Sequence, residues 1–289
     1  MKFWQALTWM EPEQMLEVAR FAEAVGFDGV MLGDHGVYPQ EIRSRYPYSV
    51  DGKPPMTSDS YYPDCWASIG AMAAVTTRLR FSIGVYVLPL RNVFEVARAT
   101  GTLAILSSNR FLFGIGTGWM KDEFDIYGVG FHDRGKRYDE MITVLRKLWG
   151  GGMVEHHGEL IDFPLLEISP APSAPVPIYT GGAARIALER TARTADGWIG
   201  AGNKPEEVPG ILATLRELRA RAGRSHLPFE TVIGLSTPPD VDTFRRLEAE
   251  GMTTGVAYPF LYSLGRSSTL DQKKRVMEDF ARRIIEPCR

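Results

Sequence analysis

Cysteine is scarce in this chain: Cys65 and Cys288 are the only two among 289 residues. A disulfide-stapled scaffold is thereby excluded, and so is a metal site built on thiolates, which needs cysteines at close spacing. Charge of one sign is also missing. Lys and Arg number 33 and Asp and Glu 35, a formal net charge of -2, which offers no electrostatic case for nucleic acid or an anionic membrane. No apolar run reaches the roughly 18 residues of a membrane span, and no basic stretch with an apolar run behind it opens the sequence, so a cytoplasmic location is expected. His132 and the pair His156-His157 have no carboxylate or cysteine at ligand spacing, and no metal is expected. A phosphate-cradling Walker loop, a nucleophile elbow and paired catalytic carboxylates are absent too.

What is present is alternation. Short β-rich runs fall at residues 3–7, 29–32, 79–88, 110–115, 176–180, 197–201, 230–235 and 255–258. Amphipathic stretches lie between or after them at 12–25, 64–76, 93–106, 137–149, 183–194, 206–222, 241–250 and 270–285. The first shows the principle: Met15, Val18, Ala19, Ala22 and Val25 share one helical face, and Gly26 follows as a stop. Eight strand–helix units in 289 residues average about 36 residues each, a size suited to a (β/α)₈ barrel with parallel strands. The competing open doubly wound sheet would carry a glycine-rich loop after its first strand. Here Thr8-Trp9-Met10-Glu11-Pro12 stands there instead. The expectation is one barrel domain over residues 1–289, with insertions at the C-terminal mouth.

Three segments, 35–62, 117–133 and 150–177, break the rhythm and are expected as loops. The first two read as walls of the mouth and the third as an insertion over the barrel, a possible lid. Candidate chemistry sits at strand ends. Asp34-His35 ends the second strand, where His35 is suited to acid–base work and Asp34 to orienting it; a helix cap and a surface His are the plain alternative. Gly84-Val85 ends the third strand, permitting close backbone approach to a ligand or simply a bend. Gly114-Ile115-Gly116-Thr117-Gly118-Trp119 ends the fourth. It fails as a dinucleotide fingerprint and suits approach to a flat ring. Thr180-Gly181-Gly182 precedes a helix, a phosphate site or a tight turn, with Lys204 one strand later as an added cation or a solvated one. Trp9, Tyr38, Trp119 and Phe124 suggest an aromatic lining for a substrate of low polarity.

Taken together, Arg110 to Trp119, Glu123-Phe124 with Gly128, Arg134-Gly135-Lys136-Arg137-Tyr138-Asp139-Glu140-Met141, Pro177 to Gly182 and Ala195-Asp196-Gly197-Trp198 resemble the luciferase-like monooxygenase superfamily, most closely its branch using the deazaflavin coenzyme F420. The resemblance implies that His35, paired with Asp34, lies by the reactive ring, and that Gly84-Val85 bulges against it, often through a cis bond. It further implies that Trp119 and Asp122 flank the cofactor, with Asp122 at its pyrimidine edge, and that Thr180, Gly181, Gly182 and Lys204 hold phosphate. The related sugar-phosphate dehydrogenases carry a glutamate where this chain has Trp119, so that reaction is not expected. The implied function is hydride transfer between coenzyme F420 and a small organic substrate, in a homodimer served by a separate cofactor-reducing enzyme. The alternatives are an FMN-dependent monooxygenase using O₂ and a non-catalytic flavin-binding protein.

Overall fold

The computed structural model describes residues 1–238 and 240–289. It runs β1 (Lys2–Ala6), α1 (Met15–Val25), β2 (Gly29–Leu32), α2 (Cys65–Ala74), β3 (Arg80–Ile83), β4 (Tyr86–Val87), α3 (Val93–Leu106), β5 (Phe111–Gly116), α4 (Lys121–Tyr127) and α5 (Arg134–Trp149). A hairpin of β6 (Val154–His157) and β7 (Asp162–Leu166) comes next. The alternation then resumes with β8 (Ile178–Gly181), α6 (Arg185–Thr194), β9 (Gly197–Asn203), α7 (Val208–Arg221), β10 (Glu230–Leu235), α8 (Val241–Ala249), β11 (Thr254–Ala257), α9 (Phe260–Leu264) and α10 (Leu270–Phe280).

The sheet order is β3-β2-β1-β11-β10-β9-β8-β5-β4, and a further pairing of β3 with β5 closes it. All pairs in this sheet are parallel. Because β4 merely continues the stave of β3 after the Gly84-Val85 bend, the result is an eight-staved barrel ringed by helices. The expected (β/α)₈ architecture is therefore what the chain adopts.

Strand alternation sorts the side chains. Outward positions pack under the helices, as where Phe3 meets Phe244 edge-on at 5.1 Å and Phe280 at 6.0 Å. Burying each such ring contributes roughly 1.5–3 kcal/mol. Inward positions Trp4, Leu112, Tyr179, Ile199, Val232 and Val256 fill the barrel centre. The starting ends of the strands are closed by charge: Glu230 accepts from Lys2 Nζ at 2.6 Å, from Arg80 at 3.2 Å and from the Tyr179 hydroxyl at 2.7 Å.

Two of the expected loops are partly regular. The 117–133 segment contains α4, and the 150–177 segment contains the β6–β7 hairpin. The hairpin is not a lid. Glu140 on α5 accepts the Leu160 and Ile161 amides at 3.0 and 2.9 Å and meets His156 Nε2 at 3.2 Å. With Phe163 stacked edge-on against Phe94 of α3 at 5.2 Å, the hairpin is held on the outside of the helices. His157 pairs with Asp162 at 2.7 Å within the same hairpin.

Candidate active site

The mouth is concave because the inward faces become small toward the strand ends. Two residues beyond the central plug, the same faces carry Ala6 after Trp4, Gly114 after Leu112, Gly181 after Tyr179 and Gly234 after Val232. A Cβ on Gly116 or Gly181 would stand 2.5 or 2.8 Å from the Val85 methyls. A Cβ on Gly234 would have no atom nearer than 3.9 Å. The open part of this surface is a shallow cup at Gly234 with backbone for its floor, whereas a Cβ on Gly114 would strike the Ile83 carbonyl. Val85 protrudes into the cup, and the Gly84-Val85 peptide is cis, as the resemblance implied. At the rim, the Tyr258 hydroxyl is buried without a partner among the described residues. A backbone-floored cup with Val85 on one side and an unspent buried hydroxyl at its rim fits a flat heteroaromatic ring.

His35 stands beside this cup and is held by a residue the sequence reading had not assigned a role. Its Nδ1 lies 2.9 Å from Glu123 Oε2, and Glu123 Oε1 accepts the Gly36 amide at 2.8 Å. The Glu123 side chain is 2% exposed and that of His35 13%. A carboxylate only accepts, so Nδ1 carries the ring proton and Nε2 remains to exchange one with a ligand. Tyr62 and Trp119 close on the imidazole edge-on at 5.0 and 5.9 Å, and Tyr46 meets Trp119 at 5.0 Å. Trp119 can occupy this place because Gly118, at φ +80°, leaves no Cβ to strike Val87 and Phe124.

Asp34 does not orient His35, contrary to expectation. Its carboxylate takes two bonds from Arg91 Nη2, at 2.9 and 3.1 Å, and the Val87 amide at 2.9 Å. Burial pushes the Asp34 carboxyl up, against the pull of Arg91, while the buried Arg91 is raised by that same carboxylate. We take the pair as ionised, because a guanidinium keeps its proton under any ordinary condition. Asp34 thus braces the strand segment that follows the cis bend.

Asp122 faces away from the cup. It accepts the Arg43 and Ser44 amides at 3.1 and 3.0 Å, which pins the 35–62 wall to α4. Burial opposes its ionisation, but bonds from Ser44 and Arg43 prevail and its pKa is lowered. A contact with a pyrimidine edge is therefore not available to that carboxylate as it stands. In the nearby surface cavity of about 410 Å³, between Arg43, Arg45, Lys121 and Trp119, two of the three cations are spent: Arg43 pairs with Glu41 and Lys121 with Asp125.

The phosphate candidates divide. Thr180 Oγ1 is buried against Thr191 Oγ1 at 2.6 Å and belongs to the core, not to a ligand. Gly181 and Gly182 lie at the mouth, where φ of +108° at Gly182 requires glycine. The Gly182 carbonyl is fixed by the Trp198 indole at 3.0 Å. No side chain caps the first turn of α6, and although the Ala187 amide returns to the Ala184 carbonyl at 2.8 Å, those of Arg185 and Ile186 are left for an anion. Lys204, exposed just past β9, has no ion-pair partner among the described residues.

Two arginines of the 134–141 motif have structural tasks. Arg134 Nε donates to the Gly118 carbonyl at 3.2 Å and Arg137 Nε to the Pro89 carbonyl at 2.9 Å, tying α5 to the loops that carry Trp119 and β4. Phe124 is fully buried and does not line the mouth as expected, while Tyr38 is exposed.

A closed parallel barrel with glycines and a buried carboxylate–histidine pair at its mouth is the luciferase-like architecture. Residues 3–242 match the family model described as luciferase-like monooxygenase, and the chain belongs to that family. An uncharacterised protein of Mycobacterium tuberculosis is 38% identical over 272 residues, 93% of this chain and 94% of that one. An F420-dependent glucose-6-phosphate dehydrogenase of Microbacterium testaceum is 28% identical over 240 residues, 80% of this chain and 66% of its own length. Among solved structures, a monooxygenase of Streptomyces bottropensis superposes with TM-score 0.75 at 20% identity, covering 99% of both chains. An F420-dependent secondary alcohol dehydrogenase, in complex with an F420-acetone adduct, gives 0.75 at 17% identity over 100% of both. The chain is accordingly an oxidoreductase or monooxygenase of the luciferase-like kind.

Proposed function

We propose that the protein binds coenzyme F420 and transfers a hydride between it and a small organic substrate of low polarity. The observation that carries this reading is the His35–Glu123 pair, set beside a cup whose glycine floor would accept a planar ring. The deazaflavin, when bound, supplies a two-electron hydride donor or acceptor. The protein's own residues do the rest. Gly181, Gly182 and the uncapped first turn of α6 would hold the phosphate, with Lys204 adding charge. His35 Nε2 exchanges the substrate proton while Glu123 fixes the ring's orientation and tautomer. Trp119, Tyr46 and Tyr62 keep water from the imidazole.

Trp119 stands where the sugar-phosphate dehydrogenases carry glutamate, and the wall it forms with Tyr46 is aromatic. That favours an organic substrate over a sugar phosphate. The second reading, an FMN-dependent monooxygenase, is supported by the family to which the chain belongs and by the Streptomyces bottropensis neighbour. Fluorescence titration of the purified protein with each cofactor decides between them. We expect F420 to bind and FMN to bind weakly or not at all, with Lys204→Ala weakening F420 about tenfold, the worth of one charge-assisted bond. Tight FMN binding without F420 binding would reverse the choice, and unchanged affinity in the Lys204 variant would remove that residue from the phosphate site.

A further inference from the structure

The geometry points to Tyr62 as a second catalytic residue: its hydroxyl donates to an oxygen on the reacting carbon of the substrate, which is therefore an alcohol or ketone. The inference rests on the functional reading above and extends it to the substrate class.

Tyr62 lies at the end of the long 35–62 wall, and its ring meets His35 edge-on at 5.0 Å. Its hydroxyl oxygen receives the Trp9 indole N–H at 2.7 Å. An indole only donates, so the phenol must spend its own proton elsewhere. The acceptor it has is the Met56 thioether at 3.5 Å, among the weakest in a protein. A donor polarised by one strong bond and left with a poor acceptor is poised for a better one. Trp9 is held for this contact at φ 63°, a backbone region that a bulky residue rarely adopts. The phenol stays protonated, since burial raises its pKa more than the Trp9 bond lowers it. It is thus a fixed donor, while His35 is the group that takes or gives a proton.

The two residues divide the work on one oxygen. With F420 bound as the hydride acceptor, oxidation of an alcohol would send the carbon's hydride to it, and His35 Nε2 would take the hydroxyl proton. Tyr62 keeps its proton and bonds the oxygen as it becomes a carbonyl; in the reverse direction the same bond polarises the ketone. Arg91, which the Val87 segment brings near, is bound to Asp34 and offers a carboxylate or phosphate substrate no free charge.

The test uses F420-loaded protein with cyclohexanol and cyclohexanone as probes, comparing wild type with Tyr62→Phe and Trp9→Phe. Turnover and calorimetric binding of cyclohexanone are both read. Tyr62→Phe keeps the ring against His35 and removes only the hydroxyl. We expect kcat/KM to fall about 10²-fold, ketone binding to weaken about tenfold, and F420 affinity and melting temperature to stay unchanged. Trp9→Phe should give a smaller loss of the same kind. If wild type turns over the probes and Tyr62→Phe matches it, the assignment fails and the hydride-transfer reading stands. Loss of F420 binding and of thermal stability together in Tyr62→Phe would make the hydroxyl a structural clasp and overturn the assignment. If wild type binds F420 but neither binds nor turns over either probe, the substrate class is wrong and the inference fails with it. Failure to bind F420 at all refutes the functional reading itself.

Discussion

At the scale of single residues, the site depends on one buried carboxylate. Glu123 is spent wholly on His35 and the Gly36 amide, and it touches neither cup nor substrate. Glu123→Gln preserves shape but can present its amide N–H to Nδ1 and shift the ring proton to Nε2. We expect kcat to drop 10- to 100-fold, as for other lost partners of a working histidine, with F420 affinity intact by fluorescence titration. The glutamine would leave kcat unaffected if His35 served only to pack against Trp119. The sequence marked His35 through its position at a strand end, but not its partner. Asp34 adjoins it in the chain, while Glu123 lies 88 residues away. Asp34 and His35 both lie just past the end of β2, where Asp34 turns to Arg91 and the Val87 amide instead.

At the scale of elements, the mouth is assembled from loops that need anchors. The loop between α9, which carries Tyr262, and α10 is fixed by Lys273 of α10. That ammonium is fully buried, pairs with Glu11 at 2.7 Å, and donates to the Ser268 carbonyl, the Ser268 hydroxyl and Gln14 at 2.8 to 2.9 Å. Glu11 in turn accepts the Ser268 amide at 2.7 Å. Lys273→Met leaves a buried carboxylate unpaired, and we expect a loss of about 3–5 kcal/mol in stability, read from the urea midpoint. A loss under about 1 kcal/mol would show that water enters to satisfy Glu11. The long helices were legible from their periodicity; α3 fell where expected, at Val93–Leu106. The short α4 was not, because Ile126 and Tyr127 are exposed and only Glu123 and Phe124 are buried, so no apolar stripe marks it. The β6–β7 hairpin was hidden for a similar reason: apart from Phe163, its residues are half-buried or exposed.

At the scale of the whole molecule, the two ends of the barrel divide stability from chemistry. The closed end holds Glu230 among Lys2, Arg80 and Tyr179. Burial opposes the ionised carboxyl, but the bonds from Lys2 and Tyr179 and the charge of Arg80 outweigh it and lower the pKa. A carboxyl depressed on folding stabilises above its unfolded pKa and loses that contribution as pH falls through the folded value. Glu230→Gln should therefore lower the thermal midpoint at neutral pH by the equivalent of about 1 kcal/mol, since the cluster is part-exposed, and narrow its gap from wild type as the medium is acidified below about pH 4. Activity per folded molecule should not change, because this cluster lies at the strand starts. A gap that widened on acidification would reverse the sign of the linkage.

The amino-acid sequence by itself determined the alternation of strands and helices, hence the parallel barrel, and placed His35, Gly84-Val85, Trp119 and Gly181-Gly182 at strand ends that share one mouth. These are local properties: period, glycine and chain order suffice to read them. Only the tertiary structure decided which polar groups meet. It gave Asp34 to Arg91, Asp122 to the wall amides and Thr180 to Thr191, and it brought Glu123 to His35 and Trp9 to Tyr62. Each of those bonds joins residues at least 11 positions apart, and closing the barrel is what brings them within reach.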